Sequence, residues 1–192
     1  GLPSSFGHTL DASNLMWQGI VPLVSLFEKK FSVPAVLTND ANAAAIGELL
    51  YGHGQNMKHF IMITLGTGLG SGIIVDGKIV YGHDGFAGEL GHTTVIPEGR
   101  KCNCGKRGCL ETYVSAPGIV KTIFELLASE TEDSELRNIS FRDLDARMIS
   151  DAALKNDPIA LKAFEFTGKL LGMKLADAVM HTSPEAIFLF GG

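Results

Sequence analysis

Cysteine is scarce in this chain: three residues in 192, all within the eight positions from Cys102 to Cys109. An odd number excludes complete disulfide pairing, and Cys102 and Cys104 are too close along the chain to bridge comfortably. No apolar run approaches the roughly 18 residues of a membrane span, and the first residues lack the charged and apolar regions of a signal peptide. Basic charge is short as well. Sixteen Lys and Arg against 21 Asp and Glu leave a net charge of −5, so no positive field draws nucleic acid or an anionic membrane by general electrostatics. There is neither a Walker A sequence ending in Gly-Lys-Ser/Thr nor a G-x-G-x-x-G that opens a helix. With the thiols clustered as for a metal, the expected compartment is the reducing cytoplasm.

What the chain does have is a 45% hydrophobic content, enough for a good core, and 23 glycines concentrated between Gly66 and Gly118, where backbone rather than side chains is expected to approach ligands. The opening "GLPSSFGHTLDAS" reads as irregular or edge structure. An apolar rhythm from Leu15 through Ile20, Leu23, Val24 and Phe27 to Phe31 predicts a helix with Pro22 near its start. "VPAVLTND" reads as a short strand that stops at a polar pair, and "ANAAAIGELLYG" as an alanine-rich helix closed by Gly52 and Gly54. "HFIMITLG" is a buried strand and "GSGIIVDGKIVYG" a hairpin turning at Asp76-Gly77. After the cysteine loop the pattern is helical: "SAPGIVKTIFELLAS", "FRDLDARMISDAALKN" and a long helix from about Pro158 to His181. "EAIFLFGG" closes as a strand running into two glycines.

Four stretches carry candidate chemistry. Three thiolates and one imidazole form a closed tetrahedral zinc set. Cys102, Cys104 and Cys109 supply the sulfurs, and His92 the fourth ligand if the segment between folds back. Gly105 and Gly108 fit the tight turns this needs, and Lys106 and Arg107 offset the thiolate charge. The bland alternative is three free cysteines in a surface loop. "LGTGLGSG" follows a strand directly; its alternating glycines turn backbone N–H groups inward and Thr67 adds a hydroxyl, a cradle for phosphate oxygens. A ligand-free hairpin is the competing reading. Asn39-Asp40 is a candidate for binding and deprotonating a hydroxyl, against the commoner role of Asp as a helix N-cap. In "GFAGELGH", Glu89 stands three residues before His92, placed to support a metal-bound imidazole or contact substrate. Glu111, two residues past Cys109, is placed the same way.

"LTNDANAAAIGE", "LGTGLGSGIIVDGKIVYG", "GFAGELGH", "CNCGKRGCLE" and "IFLFGG" together resemble the ROK family of bacterial sugar kinases along nearly the whole chain. The resemblance implies the α/β actin/hexokinase-like ATPase (ribonuclease H-like) fold. It also implies two domains flanking an interdomain cleft: residues 1–56 from a sugar-binding, catalytic domain and residues 57–192 from an ATPase-like domain carrying the zinc loop at about 85–112. A hexose would be phosphorylated by ATP with Mg²⁺. Asn39 and Asp40 would hold its reacting end, with Asp40 as base, and Glu89, His92 and Glu111 the other end. Structural Zn²⁺ would sit on His92, Cys102, Cys104 and Cys109; Gly66, Thr67, Gly68 and Gly70 would contact ATP phosphates, and Gly191 and Gly192 would begin the adenosine segment. A homo-oligomer is expected.

The family's opening D-x-G-G-T phosphate and metal turn is absent, and both ends look cut, so an internal fragment that phosphorylates nothing by itself is expected. Within this resemblance a glucokinase-type enzyme, an N-acetylmannosamine or N-acetylglucosamine kinase, and a sugar-responsive repressor with an upstream helix-turn-helix remain open. Only the last would have nucleic acid as a partner. Asp40 and the glycine-rich stretch favour a kinase; a zinc-stabilised binding module leaves both without a purpose.

Overall fold

The computed structural model describes Leu2–Pro3, Thr9–Leu10 and residues 20–191, with side chains from Val21 onward. Three two-residue strands, β1 (Leu2–Pro3), β2 (Thr9–Leu10) and β3 (Ile20–Val21), form an antiparallel sheet in the order β1-β2-β3. Helix α1 (Leu23–Phe31) begins directly after Pro22. The apolar rhythm expected to run as one helix from Leu15 is therefore divided: Ile20 belongs to β3, and proline fixes the start because it has no N–H to give the preceding turn. Leu15 itself lies outside the described residues.

No strand forms over Val33–Asn39, contrary to the sequence expectation. Pro34 cannot donate to a ladder, and Val36 is 89% exposed, so the segment has neither the hydrogen bonds nor the burial that make a strand. Helix α2 (Asp40–Tyr51) follows and closes at Gly52, whose N–H reaches Glu48 O. Strands β4 (Phe60–Leu65), β5 (Leu69–Val75) and β6 (Lys78–Ile79) lead on, and a second sheet has the order β6-β5-β4-β7 with β7 at Ala186–Gly191. The β5–β6 turn holds Asp76 at φ 50° and Gly77 at φ 71°, two consecutive left-handed residues that match the twist of a hairpin. A 3₁₀ turn occupies Leu90–His92, and helices α3 (Glu111–Val114), α4 (Ala116–Ser129), α5 (Ala146–Leu154) and α6 (Pro158–Thr182) precede β7. No described helix is long and apolar enough to cross a membrane.

The chain divides into two compact units, residues 1–62, 71–89 and 184–188 in one and residues 63–70, 90–183 and 189–192 in the other. In the first, the small side chains of α2 let it settle on β5. A Cβ at Gly72 would stand 2.8 Å from Ala45 Cβ and 3.0 Å from Ala41 O, so glycine there is what permits the approach. Phe60, Met62 and Ile74 fill the core beside Ala45, and Phe188 meets Phe60 edge-on at 5.2 Å. In the second, Ile119, Ile123, Ile149, Ile159 and Ala163 interdigitate among α4, α5 and α6. Fully burying each isoleucine contributes about 1.5–3 kcal/mol. Buried Asp157 caps α6 by accepting from Ile159 N and Ala160 N at 3.0 Å each, and its other oxygen accepts from Glu135 N at 3.0 Å.

Candidate functional site

The loop between the 3₁₀ turn and α3 closes by backbone hydrogen bonds. Val95 N donates to Gly108 O (2.8 Å), Gly108 N to Arg100 O (2.8 Å), Cys102 N to Lys106 O (2.9 Å) and Leu110 N to Thr93 O (2.9 Å). Gly105 at φ 90° and Gly108 at φ 73° make the bends, as the cysteine spacing predicts. Gly108 is confined as well as bent: a Cβ would lie 1.7 Å from Ile96 O. This folding-back brings His92, Cys102, Cys104 and Cys109 together, with all four ligand atoms within 4.8 Å of one another. His92 Nδ1 is 3.6 Å from Cys102 Sγ, and Cys104 Sγ is 3.6 Å from Cys109 Sγ. Tetrahedral zinc about 2.3 Å from sulfur and 2.05 Å from nitrogen would put neighbouring ligands about 3.6–3.8 Å apart. The donor set and its spacing therefore fit such an ion.

The thiols feel one another and the interior. Burial pushes Cys109 up to about 12, helped by the two neighbouring sulfurs, and burial likewise raises Cys102. For exposed Cys104 the raising effect of desolvation is outweighed by hydrogen bonds from the Lys106 backbone and the other thiols, and its pKa falls. A divalent cation would replace the protons that these sulfurs otherwise keep.

The glycine-rich stretch is the turn from β4 into β5. Gly66 N donates to Gly68 O at 3.0 Å. From outside, Leu69 N donates to Glu111 Oε2 at 3.0 Å and Ala116 N to Gly66 O at 2.9 Å. A side chain at Gly68 would fall 2.6 Å from Glu111 Oε2, so the glycine leaves room for the carboxylate. Gly70 continues in β5. Thr67 lines a concave cavity of about 450 Å³ whose walls include Pro117, Val120, Lys121, Phe141 and Leu144. Gly191 ends β7 with its Cα against β4, where a Cβ would stand 2.3 Å from Leu65 O; Gly192 lies outside the described residues.

At the start of α2 the capping is done by Asn39, not by Asp40. Asn39 Oδ1 accepts from Ala41 N (2.8 Å) and Asn42 N (3.4 Å). Asp40 is the first helical residue, exposed, with Oδ1 accepting from Ala41 N at 2.9 Å and Oδ2 without a protein partner among the described residues. Half-buried Glu89 directly precedes the 3₁₀ turn, where the neighbouring Gly88 carbonyl accepts a hydrogen bond from Ser71 Oγ. Asn39, Asp40 and Glu89 belong to the first unit; the glycine-rich turn, His92, the cysteines and Glu111 belong to the second.

Two features escape sequence reasoning. Arg100 reaches partners 12 to 25 positions ahead, which no local spacing announces. The cavity beside Thr67 takes its walls from α4 and from the segment leading into α5, and no local spacing joins those residues to Thr67.

Known proteins resemble this chain in sequence and fold. The ROK family model matches residues 4–192. A glucokinase from Halalkalibacterium halodurans is 39% identical over 188 residues, covering 97% of this chain and 57% of that protein. A xylose repressor from Caldicellulosiruptor bescii is 36% identical over 186 residues, covering 95% of this chain and 46% of the repressor. The chain thus spans about half the length of the curated relatives it matches. A ROK family glucokinase from Streptomyces griseus, solved in complex with glucose and AMPPNP, superposes with a TM-score of 0.86 at 36% identity, over 100% of this chain and 63% of that one. Its fold is the actin/hexokinase-like ATPase fold expected from the motifs. A match that runs from residue 4 through the glycine-rich turn and the cysteine loop to the end of the chain places this protein in the ROK family.

Proposed function

We propose that this chain carries the phosphate- and metal-binding half of an ATP-dependent sugar kinase of glucokinase type. The observation that carries the reading is the glycine-rich turn. Its backbone is fixed at both ends, Leu69 N by Glu111 and Gly66 O by Ala116 N, and Thr67 lines an apolar cavity suited to a nucleotide base. The likeness to a glucokinase that binds glucose and AMPPNP supports it.

In this reading residues 1–56 belong to the sugar-binding domain and residues 57–192 to the ATPase-like domain. Asn39, already spent as a cap through Oδ1, orients a hydroxyl through its amide N–H groups. Asp40, with an oxygen left over, accepts the proton of the attacking sugar hydroxyl. A carboxylate of ordinary basicity suffices, because the hydroxyl acidifies as its bond to phosphorus forms, and alignment supplies most of the rate. Glu89, His92 and Glu111 read the remaining hydroxyls: Glu111 keeps Oε1 for this, since Oε2 is taken by Leu69 N, and His92 keeps Nε2, since Nδ1 faces Cys102. Buried polar groups that read hydroxyls reject analogues that leave them unpaired. Gly66, Thr67, Gly68 and Gly70 receive the phosphates of ATP, and Gly191 and Gly192 open the adenosine segment. Mg²⁺ on the nucleotide would supply counter-charge to the transferring phosphoryl group. Zinc on His92, Cys102, Cys104 and Cys109 would be structural, since all four positions come from protein.

A sugar-sensing repressor is the second reading, favoured by the 36% identity to a xylose repressor. A panel of glucose, mannose, fructose, N-acetylglucosamine, N-acetylmannosamine and xylose, offered with ATP and Mg²⁺ to the chain extended to the length of its relatives, separates the two. Sugar-dependent ADP formation supports the kinase and identifies its substrate; sugar binding with no turnover across the panel supports the sensor.

A further inference from the structure

Arg100 stands inside the metal loop, yet its side chain makes all its bonds outside it. Nε donates to Glu125 Oε1 (3.0 Å), Nη1 to Thr112 O (2.8 Å) and Gly118 O (2.9 Å), and Nη2 to Thr122 Oγ1 (2.9 Å) and Glu125 Oε2 (2.6 Å). These five bonds use all five guanidinium N–H groups. The side chain is 11% exposed and stacks on the Tyr113 ring at 4.4 Å. Its main chain is equally engaged: Arg100 N donates to Tyr113 Oη (2.9 Å), and Arg100 O accepts from Gly108 N (2.8 Å). One residue thus closes the loop upon itself and fastens it to both sides of the α3–α4 corner.

That corner touches the glycine-rich turn. Helix α3 has only four residues, far too few to hold its own geometry, since short helices depend on their surroundings. On one side of it Arg100 grips Thr112 O and Gly118 O; on the other, Glu111 takes Leu69 N and Ala116 N reaches Gly66 O. The turn, with glycine at 66 and 68, has no side chains at those positions with which to anchor itself.

We propose that Arg100 is a positioning residue for the glycine-rich turn, coupling closure of the metal loop to the geometry of Gly66–Leu69 through α3. Its consequence for nucleotide affinity rests on the phosphate-binding role proposed above; its consequence for the turn does not. By linkage, whatever binds the turn also favours the closed loop to the same degree.

The test is residue-resolved amide hydrogen exchange on the 192-residue chain, wild type against Arg100→Lys, both fully loaded with zinc. Lysine keeps the charge but loses the planar fork. The Leu69 and Gly66 amides are expected to exchange roughly tenfold faster in the variant, within the range of couplings between linked sites, while amides of the α4–α6 core keep their protection. Unchanged exchange at Leu69 and Gly66 would overturn the proposal, as would acceleration spread evenly through the core. Glu125→Gln, at a 62% exposed side chain that takes only the Nε and Nη2 donations, provides a milder variant, expected to move the same amides in the same direction by less. Titration with AMPPNP, done on the chain extended to the length of its relatives, adds the functional arm: weaker binding in Arg100→Lys supports the coupling. A wild type that fails to bind AMPPNP would refute the nucleotide reading and leave the exchange data to judge Arg100.

Discussion

Two glycines in the metal loop have similar backbone angles and very different surroundings, and replacing each with alanine should separate strain from collision. Gly105 sits at φ 90° with nothing within 4 Å of where an alanine methyl would stand, whereas at Gly108, φ 73°, that methyl would lie 1.7 Å from Ile96 O and 2.6 Å from Ile96 C. Gly105→Ala therefore costs only the left-handed backbone of an L-residue, about 1–2 kcal/mol, or roughly 5–30-fold in zinc affinity. Gly108→Ala adds to that strain the displacement of a main-chain carbonyl, which no rotamer change relieves. The move breaks the Val95 N–Gly108 O and Gly108 N–Arg100 O bonds, at about 1 kcal/mol each. The total of about 3–4 kcal/mol corresponds to a loss on the order of several hundredfold. Competition against a chromogenic chelator measures both. Equal losses for the two variants, or a greater loss for Gly105→Ala, would mean that the confined bend at Gly108 does not set the sulfur positions.

Asp40→Asn in a protein of the relatives' length should lower turnover by about 10²–10⁴-fold, the usual worth of a positioned general base, while calorimetric sugar affinity stays near wild type; equal loss of both would make Asp40 a binding residue only. Cys104→Ser should release zinc, read by metal analysis, and weaken sugar binding through the loop, so normal sugar affinity in the metal-free variant would make the metal incidental. Asp157→Ala should destabilise the chain by about 2–3 kcal/mol at neutral pH, since it removes an N-cap and a hydrogen bond to a charged acceptor. Burial works to raise the Asp157 pKa, but bonds from Ala160 N, Ser134, Glu135 N and Ile159 N prevail and hold it below the usual range. A depressed folded-state pKa means stability fully present above the unfolded value of about 3.9 and lost as pH falls through the folded value. The gap between wild type and Asp157→Ala in denaturant titrations should therefore be constant near neutrality and shrink below about pH 4.

The gathering of His92, Cys102, Cys104 and Cys109 is legible in the sequence because these residues and their turn glycines are close together along the chain, and local spacing is what a sequence displays best. The Asp76-Gly77 hairpin is legible for the same reason. The strand expected over Val33–Asn39 fails where an apolar run is read without its proline: Pro34 removes a donor, and periodicity cannot reveal whether a partner strand exists. Asn39-Asp40 is locatable, but the division of labour between them is not, since both residue types cap helices and only the backbone direction shows which oxygen reaches the amides. Arg100 is invisible to sequence because its importance lies in where Thr112, Gly118, Thr122 and Glu125 are carried by α3 and α4.

The reaction proposed for this protein is phosphoryl transfer from ATP to a hexose. Its most direct test is ³¹P NMR of ATP and Mg²⁺ with glucose and the chain extended to the length of its relatives, run beside the same protein carrying Asp40→Asn. A sugar phosphate resonance is expected to grow in step with ADP in the first and to be nearly absent in the second. Sugar that binds but is never phosphorylated, with glucose and with every other hexose offered, would contradict it.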